Sequence, residues 1–205
     1  MYIPSANKIE DPRLIVELMR QNPFATLVSV ADSVPVATHL PILVGSEDPV
    51  VLCGHIARQN QHWKALASNQ DSLVIFAGPH GYVSPRFYES RPNVPTWNYV
   101  SIHAYGSVEL IDDEESALEH LEWMVGTFDP SLGESQPESM DKSFLKKLLP
   151  GIVVFRILVH RIDAKAKLSQ NKPEADQIAV KHRFRASDDP DENKMAAMML
   201  KASAS

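Results

Sequence analysis

Between Val94 and Gly106 the chain reads VPTWNYVSIHAYG, and from Tyr99 onward its side chains alternate with a period of two. Val100, Ile102, Ala104 and Gly106 fall on one phase, and Tyr99, Ser101, His103 and Tyr105 on the other. Neighbouring side chains of an extended strand point to opposite faces, so this is a strand with one apolar face. Its second face carries rings with hydrogen-bonding tips, where solvent usually receives Lys, Glu or Thr.

Strand-like text recurs along the chain as FATLVSV, VPVATHLPILV, VVLCGHI, SLVIFAG and the long IVVFRILVHRIDAKAKLSQN. Pro35 and Pro41 lie inside the second of these runs. Each lacks an N–H, so that strand must be an edge, bulged, or interrupted at those points. Helical punctuation appears in DPRLIVELMRQNP, where Asp11 caps, Pro12 takes the first helical position and Asn22-Pro23 ends the run. Further helices are expected in RQNQHWKALAS, DDEESALEHLEWMVGTF, KSFLKKLL and KPEADQIAVKHRF, the last acidic at its start and basic at its end, as the helix dipole favours. Six strands that do not alternate regularly with helices, none followed by GxGxxG, predict a β-barrel of α+β type with peripheral helices.

The chain has 205 residues, 44% apolar and 22% charged, which fits one domain with an extension. Residues 1–185 form the expected barrel domain, and 186–205 a polar C-terminal tail with a short Met-rich helix carrying Met195, Met198 and Met199. A net charge of -6 argues against a whole-surface grip on nucleic acid, and no helix-turn-helix is legible. The best basic segment, Lys181 to Arg185, is followed at once by SDDPDE, which repels a phosphate backbone. A lone Cys53 makes no internal disulfide, the N-terminus lacks a secretory pattern, and no window approaches about 18 consecutive apolar residues. A cytoplasmic protein without a membrane span is expected.

P-loop, nucleophile-elbow and HExxH patterns are all missing from the sequence, so no catalytic residue and no metal ligand set is assigned. Polar side chains concentrate instead at strand ends and in one loop. ATHLP places Thr38 and His39 beside a strand-interrupting proline, and GHIARQNQHW sets Gly54, His55, Arg58 and Asn60 around a strand end. Lys167, Ser169 and Asn171 lie on one side of AKLSQNK, with Lys172 adjacent, a set that suits a phosphate dianion. Tyr82, Phe87, Tyr88, Trp97, Tyr99 and Tyr105 offer rings for a flat heteroaromatic ligand, or for a subunit interface.

Six blocks, namely MYIP, THLP, GHIARQNQHW, GPHGYVSPRFY, VPTWNYVSIHAYG and KLSQNKPEAD, occur in an order and spacing that resembles the PaiB-like, FMN-binding negative transcriptional regulators. The resemblance covers about residues 1 to 183. It implies an FMN-binding split β-barrel, a homodimer, and FMN at the subunit interface. Carried over by position, it implicates Thr38, His39, Gly54, His55, Asn60, Tyr82, Ser84, Thr96, Trp97, Asn98, Tyr99, Lys167, Ser169, Gln170 and Asn171 in cofactor binding. Phe87 stands where the family generally has Trp, and the connection from Tyr88 to Pro95 is shorter than in many members. In such a barrel the ring-bearing phase of Val94–Gly106 would face a ligand cleft or the opposite subunit, where a charged side chain is costly to desolvate. Two alternatives accompany the regulator: a flavin-dependent oxidoreductase on the same scaffold, and a haem-binding split barrel. DNA is a partner that the family suggests and the charge pattern does not support.

Overall fold

The computed structural model describes residues 1–68 and 71–203. The strands are β1 Phe24–Ala31, β2 Val34–Pro41, β3 Leu43–Glu47, β4 Val50–Ala57, β5 Ser72–Val83, β6 Thr96–Ile111 and β7 Ile152–Lys167. The helices are α1 Pro12–Gln21, α2 His62–Leu66, α3 Glu114–Phe128, α4 Leu132–Ser135, α5 Lys142–Leu148, α6 Glu174–Arg185 and α7 Pro190–Ser203. The strands form one sheet in the order β2-β1-β5-β6-β7-β4-β3, with antiparallel pairing at β1–β2, β1–β5, β4–β7 and β3–β4. The result is an α+β fold.

Local chemistry accounts for most boundaries. Asp32 and Ser33 adopt positive φ (49° and 66°), which closes the two-residue hairpin between β1 and β2. β2 is an edge strand, so the missing N–H of Pro35 breaks no ladder on its outer side. At Pro41 the strand ends although the apolar run continues; Ile42 N–H turns away to bond Pro23 O at 2.8 Å, and β3 begins at Leu43. One expected strand therefore becomes two, and the total is seven. Asp11 caps α1 through the amide of Arg13, Asp113 caps α3 through that of Ser116, and Asp141 caps α5 through those of Ser143 and Phe144. The helix expected over RQNQHWKALAS shrinks to five residues, because the Asn60 amide first closes a turn onto Ala57 O. β5 is longer than SLVIFAG suggests. It continues through Pro79 and Gly81 to Val83, and takes in the first part of the aromatic loop.

The chain forms two compact units. Unit 1 comprises Met1–Gln21, Ala77–His103 and Asp163–Ser205; unit 2 comprises Asn22–Phe76 and Ala104–Ile162. In unit 1, Leu18, Met19, Val83, Ile102, Val180, Phe184 and Met195 are buried. Gly81 is required there, since an added Cβ would lie 2.8 Å from Phe184 Cζ. In unit 2 the buried set includes Leu27, Ile42, Leu52, Leu66, Val74, Phe76, Phe155 and Ile157, and Leu118, Leu121 and Leu145 make a cluster with Leu149 and Ile152 against it. Each such side chain stabilises its unit by about 1.5–3 kcal/mol relative to exposure. α7 is not a frayed tail: Met195, Ala196, Met198 and Met199 are buried.

Candidate functional site

Unit 1 assembles the basic strand end and the ring-lined loop. On β6 the even phase, from Asn98 through Ile102, is buried, and the odd phase of Tyr99, Ser101 and His103 is half-buried. Lys167 Nζ, at the end of β7, donates to Thr96 Oγ1 at the start of β6. Two residues earlier on β7 the ammonium of Lys165 lies 5.0 Å from the Tyr99 ring centre, and also donates to Tyr2 O at 3.2 Å. Because side chains alternate, Lys167 shares the face of Lys165, and Trp97 shares the face of Tyr99. Trp97 is 52% exposed and meets Tyr82 edge-on at 5.8 Å and His80 at 5.9 Å. A cation and a hydroxyl thus meet at the strand end where Trp97, the next residue along β6, is exposed.

Neighbouring candidates hold these strand ends in place. Asn98 is fully buried, and its amide exchanges bonds with Ser169 Oγ at 3.0 and 3.2 Å. Ser169 adopts φ 66°, a left-handed backbone unusual for a residue with Cβ. Gln170 folds back, accepting from Leu168 N and donating to Ala166 O, both at 2.6 Å, while Asn171 is exposed. Ser84 accepts from Arg86 N at 3.3 Å. The loop that follows is held by α6. Asp176 accepts from the amides of Glu89 and Ser90 at 2.8 and 2.9 Å and from Ser90 Oγ at 2.5 Å. The Ser90 bonds hold its carboxyl below the ordinary value. Lys172 donates to Asn93 Oδ1 and sits over the Tyr88 ring. Tyr88 OH is buried beside Ser169, and burial raises its pKa.

Unit 2 holds the other candidates. Asn60 Nδ2 donates to Thr38 Oγ1 at 3.0 Å, and Thr38 Oγ1 lies 2.8 Å from His62 Nδ1. Thr38 Oγ1 has a second lone pair and a hydrogen, so it can accept from or donate to Nδ1. His62 Nε2 is buried and has no partner among the described residues. Burial also lowers the His62 pKa, which keeps the ring neutral. His39 is exposed and stacks on Phe24 at 6.4 Å. Gly54 is a packing residue: a Cβ there would lie 2.8 Å from Ile42 Cδ1. His55 Nδ1 is 3.0 Å from His120 Nε2 on α3. Arg58 spends its guanidinium on the carbonyls of Pro150 and Ile152.

Sequence reasoning missed His62, Lys165, Asp176 and His120. The first and third sit inside the quoted blocks GHIARQNQHW and KPEAD, so their position was visible and their partners were not. Nothing near His120 in the sequence marks it.

Residues 1–161 match the model of the family described as "Putative FMN-binding domain". The protease synthase and sporulation protein PAI 2 of Bacillus subtilis (strain 168) is 36% identical over 203 residues, covering 97% of this chain and 96% of that protein. Among solved structures, the FAD and heme binding protein from Mycobacterium smegmatis superposes with a TM-score of 0.64 at 18% identity, over 84% of this chain and 79% of that one. The flavocytochrome Anf3 from Azotobacter vinelandii gives 0.62 at 19% identity, over 82% and 73%. These likenesses establish the split-barrel fold.

The residues present fit FMN. Its phosphate needs a cation and hydroxyls, and its ring system needs apolar faces with a few fixed donors. Lys167 with Thr96 would supply the first set, and Trp97 and Tyr82 the second.

Proposed function

The chain belongs to the family of FMN-binding domains and its cofactor is FMN, and from that premise we propose that it is a homodimeric, FMN-binding negative regulator of transcription of the PaiB type. The observation that carries the reading is the meeting of Lys167 with Thr96 at the strand end where the neighbouring Trp97 is exposed. Lys167 and Thr96 hold the phosphate, and Trp97 and Tyr82 offer ring faces to the isoalloxazine. Asn98, Ser169 and Gln170 fix the two strand ends that carry these groups. FMN supplies redox chemistry when bound; the side chains bind and orient it.

Support for the dimer comes from the outward face of the β1–β2 hairpin. Register places Val30 opposite Pro35 and Val28 opposite Ala37, and Phe24 beside them is 67% exposed. A second copy covering this apolar face removes it from water. Support for regulation is the Bacillus subtilis relative, whose name refers to protease synthesis and sporulation. The net charge of -6 favours control through a protein partner over a broad grip on DNA. A cytoplasmic location accords with the single free Cys53.

The test is the absorbance spectrum and sedimentation of protein purified without added cofactor. Flavin bands and a dimer are expected, with FMN affinity lowered about 10- to 100-fold in Lys167→Ala combined with Thr96→Val, since charge-assisted bonds are lost. A colourless monomer that takes up no added FMN overturns the reading. Rapid NADH oxidation by the loaded protein, without any effect on gene expression, favours an oxidoreductase instead.

A further inference from the structure

A second feature of unit 1 adjoins the proposed flavin face at Tyr82 and takes its arginines from α6 and the Pro85–Phe87 turn. Beside the short 3-10 turn Pro85–Phe87, α6 presents Ala179, His182, Arg183 and Ala186, spaced at i, i+3, i+4 and i+7 and therefore on one face. This face and the turn enclose an open groove of about 750 Å³, whose other walls are Tyr82, Ser84, Arg86 and Phe87. The two alanines leave the groove its depth, and His182 and Arg183 sit between them.

Three properties of the groove point to one class of ligand. Its lining carries two guanidiniums and an imidazole and no carboxylate. Neither Arg86 nor Arg183 makes an ion pair or a side-chain hydrogen bond among the described residues, so both forks remain open to an anion. Arg183 lies 5.5 Å from the centre of the Phe87 ring, and Tyr82 is 43% exposed, so flat apolar surface adjoins the charge. Arginine beside aromatic rings recognises a phosphate attached to a planar ring system.

We propose that this groove binds a nucleoside phosphate, a ligand additional to the FMN cofactor, with Arg86 and Arg183 on the phosphate and Phe87 against the base. Size and surroundings favour a compact ligand over a nucleic-acid strand. The volume lies in the range of small-molecule sites. Carboxylates stand close by: Asp191 is 3.5 Å from His80, which in turn adjoins Trp97, and Glu192 packs over Gly81. A polyanion lying along the groove would meet them, whereas a mononucleotide would not.

The experiment titrates FMN-loaded protein with adenosine monophosphate, with adenosine and inorganic phosphate as separate probes, followed by calorimetry and amide chemical shifts. Saturable binding of the nucleotide is expected, with shifts centred on Arg86, Phe87 and Arg183 and both partial probes weaker by about tenfold or more. Arg86→Gln with Arg183→Gln lowers nucleotide affinity at least about tenfold and leaves FMN content and the circular dichroism spectrum unchanged. Phe87→Leu weakens the nucleotide and leaves inorganic phosphate unaffected. Three results overturn the assignment: no saturable binding, FMN released in step with nucleotide uptake, or a short oligonucleotide that binds more tightly with steep salt dependence.

Discussion

His55 Nδ1 on β4 and His120 Nε2 on α3 lie 3.0 Å apart, with the two rings edge-on at 81°. One nitrogen of the pair must carry the hydrogen and the other must accept it, so the bond fixes complementary tautomers. Burial lowers the pKa of both rings, and a charge on His55 lowers that of His120 further, to about 4. The pair therefore stays neutral at physiological pH and links a candidate cofactor residue to the helix behind it.

Acid stability follows from that shift. In the unfolded chain His120 binds a proton near pH 6.5; in the folded chain it does so only near pH 4. Stability contributed by the neutral ring is full above pH 6.5 and declines as pH falls toward the folded value, by about 3 kcal/mol in all. Urea unfolding of His120→Gln at several pH values is expected to give a flatter profile across that window. A variant as acid-sensitive as the parent contradicts the assignment.

Gly106 stands where β6 meets β7 with no room for a side chain. A Cβ there would lie 2.3 Å from Leu158 O and 2.8 Å from Ile157 Cγ2. The nearest atom is backbone and cannot swing aside, so Gly106→Ala is expected to cost about 3 kcal/mol in chemical denaturation. Gly133→Ala is the control, because its nearest neighbour, Met140 Cγ, would be 3.7 Å away. Equal effects of the two substitutions would refute the packing argument.

Asp176 ties the β5–β6 loop to α6 through two amides and a hydroxyl. Removing the carboxylate in Asp176→Ala frees that loop. Amide exchange at Glu89 and Ser90 should rise at least about tenfold, and trypsin should cleave after Arg86 sooner. Unchanged exchange at both amides would mean that other contacts hold the loop.

Met195 is fully buried on α7. Met195→Ala is expected to destabilise the protein by about 2–5 kcal/mol, and Lys194→Ala, on the exposed side of the same helix, by less than about 0.5 kcal/mol. Thermal or urea melts of the two variants decide it, and indistinguishable midpoints would show that α7 does not seal unit 1.

Strands and caps were legible in the sequence because their causes are local. The two-residue alternation over Tyr99–Gly106, the prolines at 35 and 41, and the acid at 11 each act within a few residues, so reading along the chain suffices. The path of β5 through Pro79 and Gly81 was not legible, since proline and glycine signal interruption unless neighbouring strands claim the backbone. Part of the candidate site was likewise visible as blocks of residue types. Which of them meet was not visible, because His55 and His120 are separated by 65 positions, Asn98 and Ser169 by 71, and Asp176 and Glu89 by 87.

The sequence by itself determined an α+β chain of alternating strands, the capped start of its first helix, and which segments hold cations and rings. Only the tertiary structure decided that Lys167 reaches Thr96, that Asn98 and Ser169 spend their polar groups on each other, and that α7 covers unit 1. The reason is physical: local patterns are set by backbone geometry over a few residues, whereas the pairing of distant side chains depends on strand register and packing that no short segment contains.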